Sequence, residues 1–372
     1  MLRIAQIAPL VESVPPTTYG GIERIIHYLT DALVDLGCDV TVFATRDSET
    51  RGKLVSCRDQ ALRLDPERSD ALAATLLQFH TLRAQASRFD ILHFHHDTLH
   101  MPLFRDQAHK TLTTLHSRLD IKDYPRFYRT FPEFPMIAIS MSQRQQLPAA
   151  GWRRTIPHGL PETLYQAGTP KGQPYLAFLG RFAPDKGIES AVAIAERAGL
   201  PLKVAAKRCS EHTAYFEDTV VPLLKRPQVE YLGEVDDRGK QDLLGGALAL
   251  LFPINWPEPF GLVMIEAMAC GTPVIAFPYG AVPEVIETGL TGFIARNSAE
   301  AIAAVRQLET LDRSRIRRRF EERFTAKRMA EAYLKAYEEQ VLLGGAFLES
   351  ATTPARRSGY GMGVAVSASP SA

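Results

Sequence analysis

A chain of 372 residues that is 45% hydrophobic is long enough for two cores, and its balance of 43 Lys+Arg against 42 Asp+Glu gives nucleic-acid binding no support. Four cysteines, Cys38, Cys57, Cys209 and Cys270, stand apart with no CxxC or Cys/His pairing, so neither a disulfide framework nor a zinc site is indicated and a reducing cytoplasm fits. No apolar run approaches the ~18 residues of a membrane span, and that of MLRIAQIAPL is too short for a signal peptide.

MLRIAQIAPL reads as a strand, after which Ile22, Ile25, Ile26, Leu29, Leu33 and Leu36 recur at helical spacing until Gly37 closes the run. DVTVFAT (39–45) is a second strand, a helix is expected over 69–88, and RFDILHFHH, TLTTLHS (111–117) and PMIAIS (135–140) supply three more strands. After the Gly/Pro-rich IPHGLPETLYQAGTPKGQP the alternation restarts with PYLAFLG (174–180), a helix over IESAVAIAERAG, the strand PLKVAAK, and a helix before VEYLG. LALLFPI is then a strand, Phe260 to Ala269 a helix, and GTPVIAF a strand. A last helix runs from about Thr325 to Leu343, ahead of a tail rich in Ser, Ala, Gly and Pro that has no period and is expected to be disordered.

Strands alternating with helices imply α/β architecture: two doubly wound, Rossmann-like parallel-sheet domains. The expected division is 1–160, a linker at 161–173, a second domain at 174–324, a helix at 325–345 packing back toward the first domain, and the tail 346–372. Ligands bind beyond the carboxyl ends of strands in such sheets, so the site is expected in the cleft where the halves face each other.

Three features suit a sugar diphosphate there. Gly20-Gly21 stands just before the first helix, where backbone N–H groups can approach an anion and the helix end adds partial positive charge. LGRFAPDKG places Arg181 and Lys186 at a strand's carboxyl end, a planar fork and a point charge for phosphate oxygens. In EPFGLVMIEA, Glu258 and Glu266 flank a helix start whose amides, Phe260, Gly261, Leu262 and Val263, would face the phosphates while the carboxylates take sugar hydroxyls at either end. Each feature also has a blander reading: a tight turn, solvated loop charges, or a dipole-complementing Glu258 with a satisfied core Glu266.

Other groups carry less. His93 and His95 share one strand face and His96 takes the other, which argues against a metal cluster. The segment 101–160 holds nine basic against four acidic residues with aromatics interleaved; a weak contact with anionic lipid or a phosphorylated acceptor competes with a solvated surface over core aromatics, and the surface is the simpler account. RSRIRRRFEERF reads as a charged helix face.

The stretch EPFGLVMIEAMACGTPVIA resembles the signature of the retaining nucleotide-sugar glycosyltransferases of family 4, which have the GT-B fold. The likeness covers roughly residues 2 to 340, with YGGIER, ILHFHH, TLHS, AISMSQRQQL, IPHGL, LGRFAPDKG, VEYLGEV and GAVPEVIETGLTGFI in the family's order. The resemblance implies that Glu258 and Phe260-Gly261 hold the donor sugar, Glu266 the ribose, and Arg181, Lys186, Gly20, Gly21, Gly261, Leu262 and Val263 the diphosphate, with His116 beside the reacting centre. It implies a hexosyltransferase acting by front-face substitution on a nucleotide-sugar donor, with a lean toward a UDP-hexose such as UDP-glucose, no cofactor, and an acceptor that no residue identifies. The chain has no DxD, which fits departure of the leaving group without a metal. Two positions depart from the family: His158 where Asn is frequent, and KVAAKRCS in place of a glycine-bearing loop, where Lys207 or Arg208 could reach phosphate or base. A nucleotide-sugar epimerase, a glycosyl phosphorylase or a binding module without turnover are the alternatives on the same fold. A cytoplasmic place, or one peripheral to the inner membrane face, is expected.

Overall fold

The computed structural model describes residues 1–17, 20–65, 69–170 and 172–352, with side chains up to position 345. Seven parallel strands form the first sheet: β1 (Arg3–Ile7), β2 (Asp39–Thr45), β3 (Lys53–Arg58), β4 (Ile91–Phe94), β5 (Thr111–Thr114), β6 (Met136–Ala138) and β7 (Trp152–Thr155), in the order β3-β2-β1-β4-β5-β6-β7. Six form the second: β8 (Leu176–Phe182), β9 (Leu202–Arg208), β10 (Val229–Gly233), β11 (Ala249–Phe252), β12 (Val274–Ala276) and β13 (Gly292–Ile294), in the order β10-β9-β8-β11-β12-β13. Both orders turn back beside their first strand, which makes each a doubly wound Rossmann-like sheet with its crevice at β1/β4 and β8/β11.

The central strands are covered on both faces: all four residues of β4 and of β11 are buried, as are four of five in β1, with Gln6 and His93 as buried polar members. β3 is a half-exposed edge strand and β7 is only partly covered. These two and the three-residue β13 are strands beyond those expected from sequence.

The chain passes between the domains twice, and the two passages are bonded together. Leu160 N–H donates to the Phe324 carbonyl (2.9 Å), and Ala326 N–H donates to that of Leu160 (2.7 Å). The terminal helix (Ala326–Thr352) then lies on the first domain, where Ala330, Tyr333 and Tyr337 are buried in one core with Ile25, Leu29 and Leu33 of the Gly21–Asp35 helix. It continues past Leu343, where a disordered tail was expected to follow, through Thr352; the rest of that tail lies outside the described residues. No helix among the described residues is long and apolar enough to cross a membrane.

The basic segment 101–160 contains both core aromatics and surface ion pairs. Tyr128 and Phe134 are core residues, and Arg105, Arg118 and Arg154 pair with Glu133, Asp120 and Glu339. The arginine run does more than coat a helix. On the Arg313–Arg323 helix, Arg313 donates to the carbonyls of Gly168 and Ala247 (both 2.9 Å) and Arg317 to those of Tyr165 (2.6 Å) and Ala269 (2.7 Å), so both guanidinium groups clamp the 161–173 segment onto the second domain. Carbonyls at loop and helix ends lack backbone partners, and a guanidinium satisfies several at once.

Candidate functional site

The carboxyl ends of the two sheets enclose a cleft of about 730 Å³, lined by both domains. Every residue assigned from the sequence to donor binding or catalysis lines it: Gly20, Gly21, His116, Arg181, Lys186, Glu258, Phe260, Gly261, Leu262, Val263 and Glu266. Two helix starts meet there. Gly21 opens the Gly21–Asp35 helix, and a Cβ placed on it would meet Leu262 Cδ1 at 3.4 Å, the first residue of the Leu262–Ala269 helix. The first-turn amides of each helix have no carbonyl of their own helix to bond, and both ends carry partial positive charge, so the gap between them suits an anion.

The second helix differs from its expected bounds. It begins at Leu262, not Phe260, because Gly261 adopts φ 83°, a left-handed conformation that stops the helix from starting earlier. Phe260 and Glu258 therefore lie in the preceding loop.

Neither carboxylate stands unpaired. Lys186 Nζ bonds Glu258 Oε2, and the same ammonium lies 4.5 Å above the Trp256 ring. Lys240 Nζ donates to Glu266 Oε1 (2.7 Å), with Glu266 only 2% exposed. Arg181 faces Asp185 at 3.6 Å. A ligand carrying both hydroxyls and phosphates can replace these internal pairs with its own, phosphate on lysine and hydroxyl on carboxylate.

Three contributors were missed from sequence. Lys240, on the Asp237–Gly246 helix, holds Glu266 across 26 positions of chain, a separation that leaves no local pattern. His158, recognised only as a departure from the family, stacks on His116 (centroids 5.3 Å, planes 17° apart) and lies edge-on to Phe260 at 5.0 Å. Gly280 carries the loop of Glu258: at φ 58° it packs so closely that a Cβ would come 2.2 Å from the Glu258 carbonyl oxygen. Gly280→Ala is therefore expected to displace Glu258, lowering kcat/KM at least about tenfold while destabilising the protein by roughly 1–3 kcal/mol. Steady-state kinetics with a parallel melting curve checks this, and an unchanged kcat/KM would disconnect Gly280 from the site.

The domains also touch around the cleft. Arg24 Nη1 donates to Asp237 Oδ2 across it (2.7 Å), and the Arg118 guanidinium covers Trp256 at 5.7 Å. Glu284 accepts from the backbone N–H groups of Met141 and Ser142 (2.7 Å each), capping a helix of the opposite domain. At the cleft wall burial raises the Glu23 carboxyl to about 7 and pushes His116 down to about 3, so both are neutral in mildly acidic solution.

His93 and His95 lie on one face (centroids 4.1 Å apart) and His96 on the other, against Phe79 at 5.1 Å. Lys207 lines the cleft at the end of β9, whereas Arg208 pairs with Glu217 and stacks on Phe216 at 4.6 Å. Cys209, read from the sequence as apart from any histidine, shares one turn with Glu211 and His212, their donor atoms within 4.8 Å of one another; none of the three lines the cleft.

Residues 162–326 match the family model described as glycosyl transferases group 1, and residues 19–159 match that of glycosyltransferase family 4. The α-maltose-1-phosphate synthase of Mycolicibacterium smegmatis is 28% identical over 185 residues, so the match spans about half (47%) of each chain. Glycogen synthase of Mycobacterium tuberculosis is 25% identical over 352 residues, 79% of this chain and 83% of the relative. The crystal structure of Anabaena Alr3699/HepE in complex with UDP-glucose shares the fold, with a TM-score of 0.68 at 16% identity over 91% of this chain and 100% of that one. Two models matched in succession, one per sheet, on this architecture identify the chain as a member of the group 1 glycosyltransferases of the GT-B type.

Proposed function

We propose that the protein moves a hexosyl group from a UDP-hexose, such as UDP-glucose, to a hydroxyl-bearing acceptor with retention of anomeric configuration and without a metal ion. The observation that carries this reading is the order of groups along the cleft-lining segment 258–266: Glu258 paired with Lys186, then the helix start at Leu262 beside that at Gly21, then Glu266 paired with Lys240. A sugar ring, a diphosphate and a ribose present the matching sequence of hydroxyls, anions and hydroxyls. The solved relative bound to UDP-glucose on the same fold supports the choice of donor, and Lys207 at the end of β9 is placed to meet the outer end of a nucleotide.

When donor enters, Lys186 turns from Glu258 to a phosphate oxygen and Glu258 receives sugar hydroxyls. Arg181, Lys186 and the amides of Leu262 and Val263 then stabilise the negative charge that grows on the diphosphate as the anomeric C–O bond breaks. The acceptor oxygen bonds to the anomeric carbon on the face the diphosphate leaves, and its proton passes to the departing phosphate oxygen. Fixed cations and helix-start amides supply the charge stabilisation that a divalent ion supplies in other enzymes.

The test is a thermal-shift and calorimetric panel of UDP, GDP, ADP and their glucose, mannose and N-acetylglucosamine conjugates in EDTA. A UDP-hexose is expected to give the largest stabilisation, and Glu266→Ala to weaken UDP at least about tenfold, near 1.4 kcal/mol. No response to any nucleotide would remove the donor site, and a response that requires Mg²⁺ would overturn the metal-free mechanism.

A further inference from the structure

Behind the cleft runs a continuous chain of buried hydrogen bonds that ends on the terminal helix. His116 Nε2 lies 2.9 Å from His95 Nδ1, and His95 Nε2 lies 2.7 Å from Gln6 Oε1. Gln6 Nε2 donates to the Tyr337 hydroxyl (3.2 Å), which also meets His93 Nδ1 at 2.7 Å, and His93 Nε2 reaches Thr114 Oγ1 at 2.7 Å. Thr114 Oγ1 in turn meets the Tyr333 hydroxyl at 2.9 Å. Gln6, His93 and Tyr337 are each completely buried, and His95 is 3% exposed.

We infer that Gln6, His95 and Tyr337 are positioning residues that fix which nitrogen of His116 carries its proton, and through it the orientation of that ring at the donor sugar. This rests on the reading of the cleft as a donor site. The bonding admits one consistent assignment with Gln6 as placed. Its amide nitrogen can only donate, so Tyr337 accepts from it and gives its own proton to His93 Nδ1, leaving His93 to donate from Nε2 to Thr114. The amide oxygen of Gln6 can only accept, so His95 carries its proton on Nε2 and is bare at Nδ1. His116 must then donate from Nε2, which leaves its Nδ1 a bare lone pair. Burial holds His93 and His95 well below the usual imidazole range, as it does His116, so each ring carries a single proton in neutral solution and the logic holds at every link.

A second observation selects the same direction independently. His116 Nδ1 is buried and has no hydrogen-bond partner among the described residues. Turning the Gln6 amide over would reverse every bond in the chain and put an unpaired N–H at that atom. A buried acceptor without a partner is tolerated better than a buried orphan N–H, so the chain settles with the bare nitrogen there. His116 is then not a general acid in this state, since its one proton is committed to His95, and burial, which lowers it to about 3, makes the bare Nδ1 a weak base. It meets the cleft as a neutral ring stacked on His158, held from a helix whose sequence lies more than 200 positions away.

Two-bond ¹H–¹⁵N correlation spectra of the full chain labelled with ¹⁵N-histidine test this directly. His95 and His116 are both expected to be protonated at Nε2, unchanged between pH 6 and 8. Gln6→Leu removes the acceptor that orients His95, and is expected to shift His116 toward the Nδ1–H form and to lower kcat about tenfold with a smaller change in donor KM. Tyr337→Phe, a milder change, is expected to move the same nitrogen signals in the same direction. An Nδ1–H signal for His116 in the unmodified protein would overturn the inference, as would unmoved signals in both variants or a moved signal with kcat intact. The nitrogen signals report on the chain whether or not a UDP sugar binds, so a failed donor panel and a failed relay are separate results.

Discussion

Replacing Arg181 and Lys186 together by alanine is expected to cut kcat by about 10⁴-fold, given that removal of one charge-stabilising donor typically costs about 10²–10³. Both cations sit at the carboxyl end of β8 or in the turn that follows it, and both line the cleft beside the helix start at Leu262. Their loss leaves the helix amides alone against a departing diphosphate. The double variant also strips Glu258 of its lysine, so part of the effect falls on sugar orientation; Lys186→Ala alone separates the two contributions when donor KM and kcat are compared. Release of nucleoside diphosphate from the preferred donor measures the rate, and circular dichroism checks the fold. Turnover within tenfold of the unmodified enzyme would show that the leaving group is stabilised elsewhere.

Acidification from pH 7 to 5 is expected to destabilise the fold steeply. His93, His95, His96, His100, His116 and His158 all have their pKa lowered by burial, which favours the neutral form. Unfolded histidines take up protons as pH falls through about 6.5, while the folded ones do not. The unfolded state therefore binds more protons in this range, so the stability these groups contribute is complete above pH 6.5 and is lost as pH falls below it, each by up to about 1.4 kcal/mol per pH unit. Glu23, raised to about 7 by desolvation, has the opposite sign: its contribution is present at low pH and is lost as pH rises from about 4.5 through 7. Burial raises the carboxyls of Glu12 and Asp97 as well, with the same sign as Glu23, yet three carboxyls stand against six histidines, so the acid loss dominates. Urea titrations at pH 7.5, 6.5 and 5.5 should show a falling midpoint, and a constant midpoint would mean that these imidazoles titrate freely in the folded protein.

The parts of the molecule legible in the sequence are those where one short window carries the whole signal. DVTVFAT coincides with β2 because a central parallel strand is apolar on both faces. Arg181, Lys186, Glu258 and Glu266 stood out because charge in an otherwise apolar strand end or helix is conspicuous. β3 and β7 did not, since half-exposed edge strands mix polar and apolar residues with no clean period. The Lys240–Glu266 pair is a property of two helices meeting, and Gly280 is one glycine among many until its neighbour is seen to be the backbone of Glu258. Arg313 and Arg317 illustrate the reverse error, in which residues that resemble a solvated charge run prove to hold backbone carbonyls.

The terminal helix has a consequence for synthesis. The ribosome delivers the first domain's seven strands by residue 155, yet Ala330, Tyr333 and Tyr337, which complete its core, are among the last described residues to be made. Domains generally fold as units in order of emergence. Here the second domain, continuous from β8 to the Arg313–Arg323 helix, has all its parts while the first still shows an open apolar groove beside the Gly21–Asp35 helix. The nascent chain is thus most adhesive at its oldest end until the terminal helix emerges and docks.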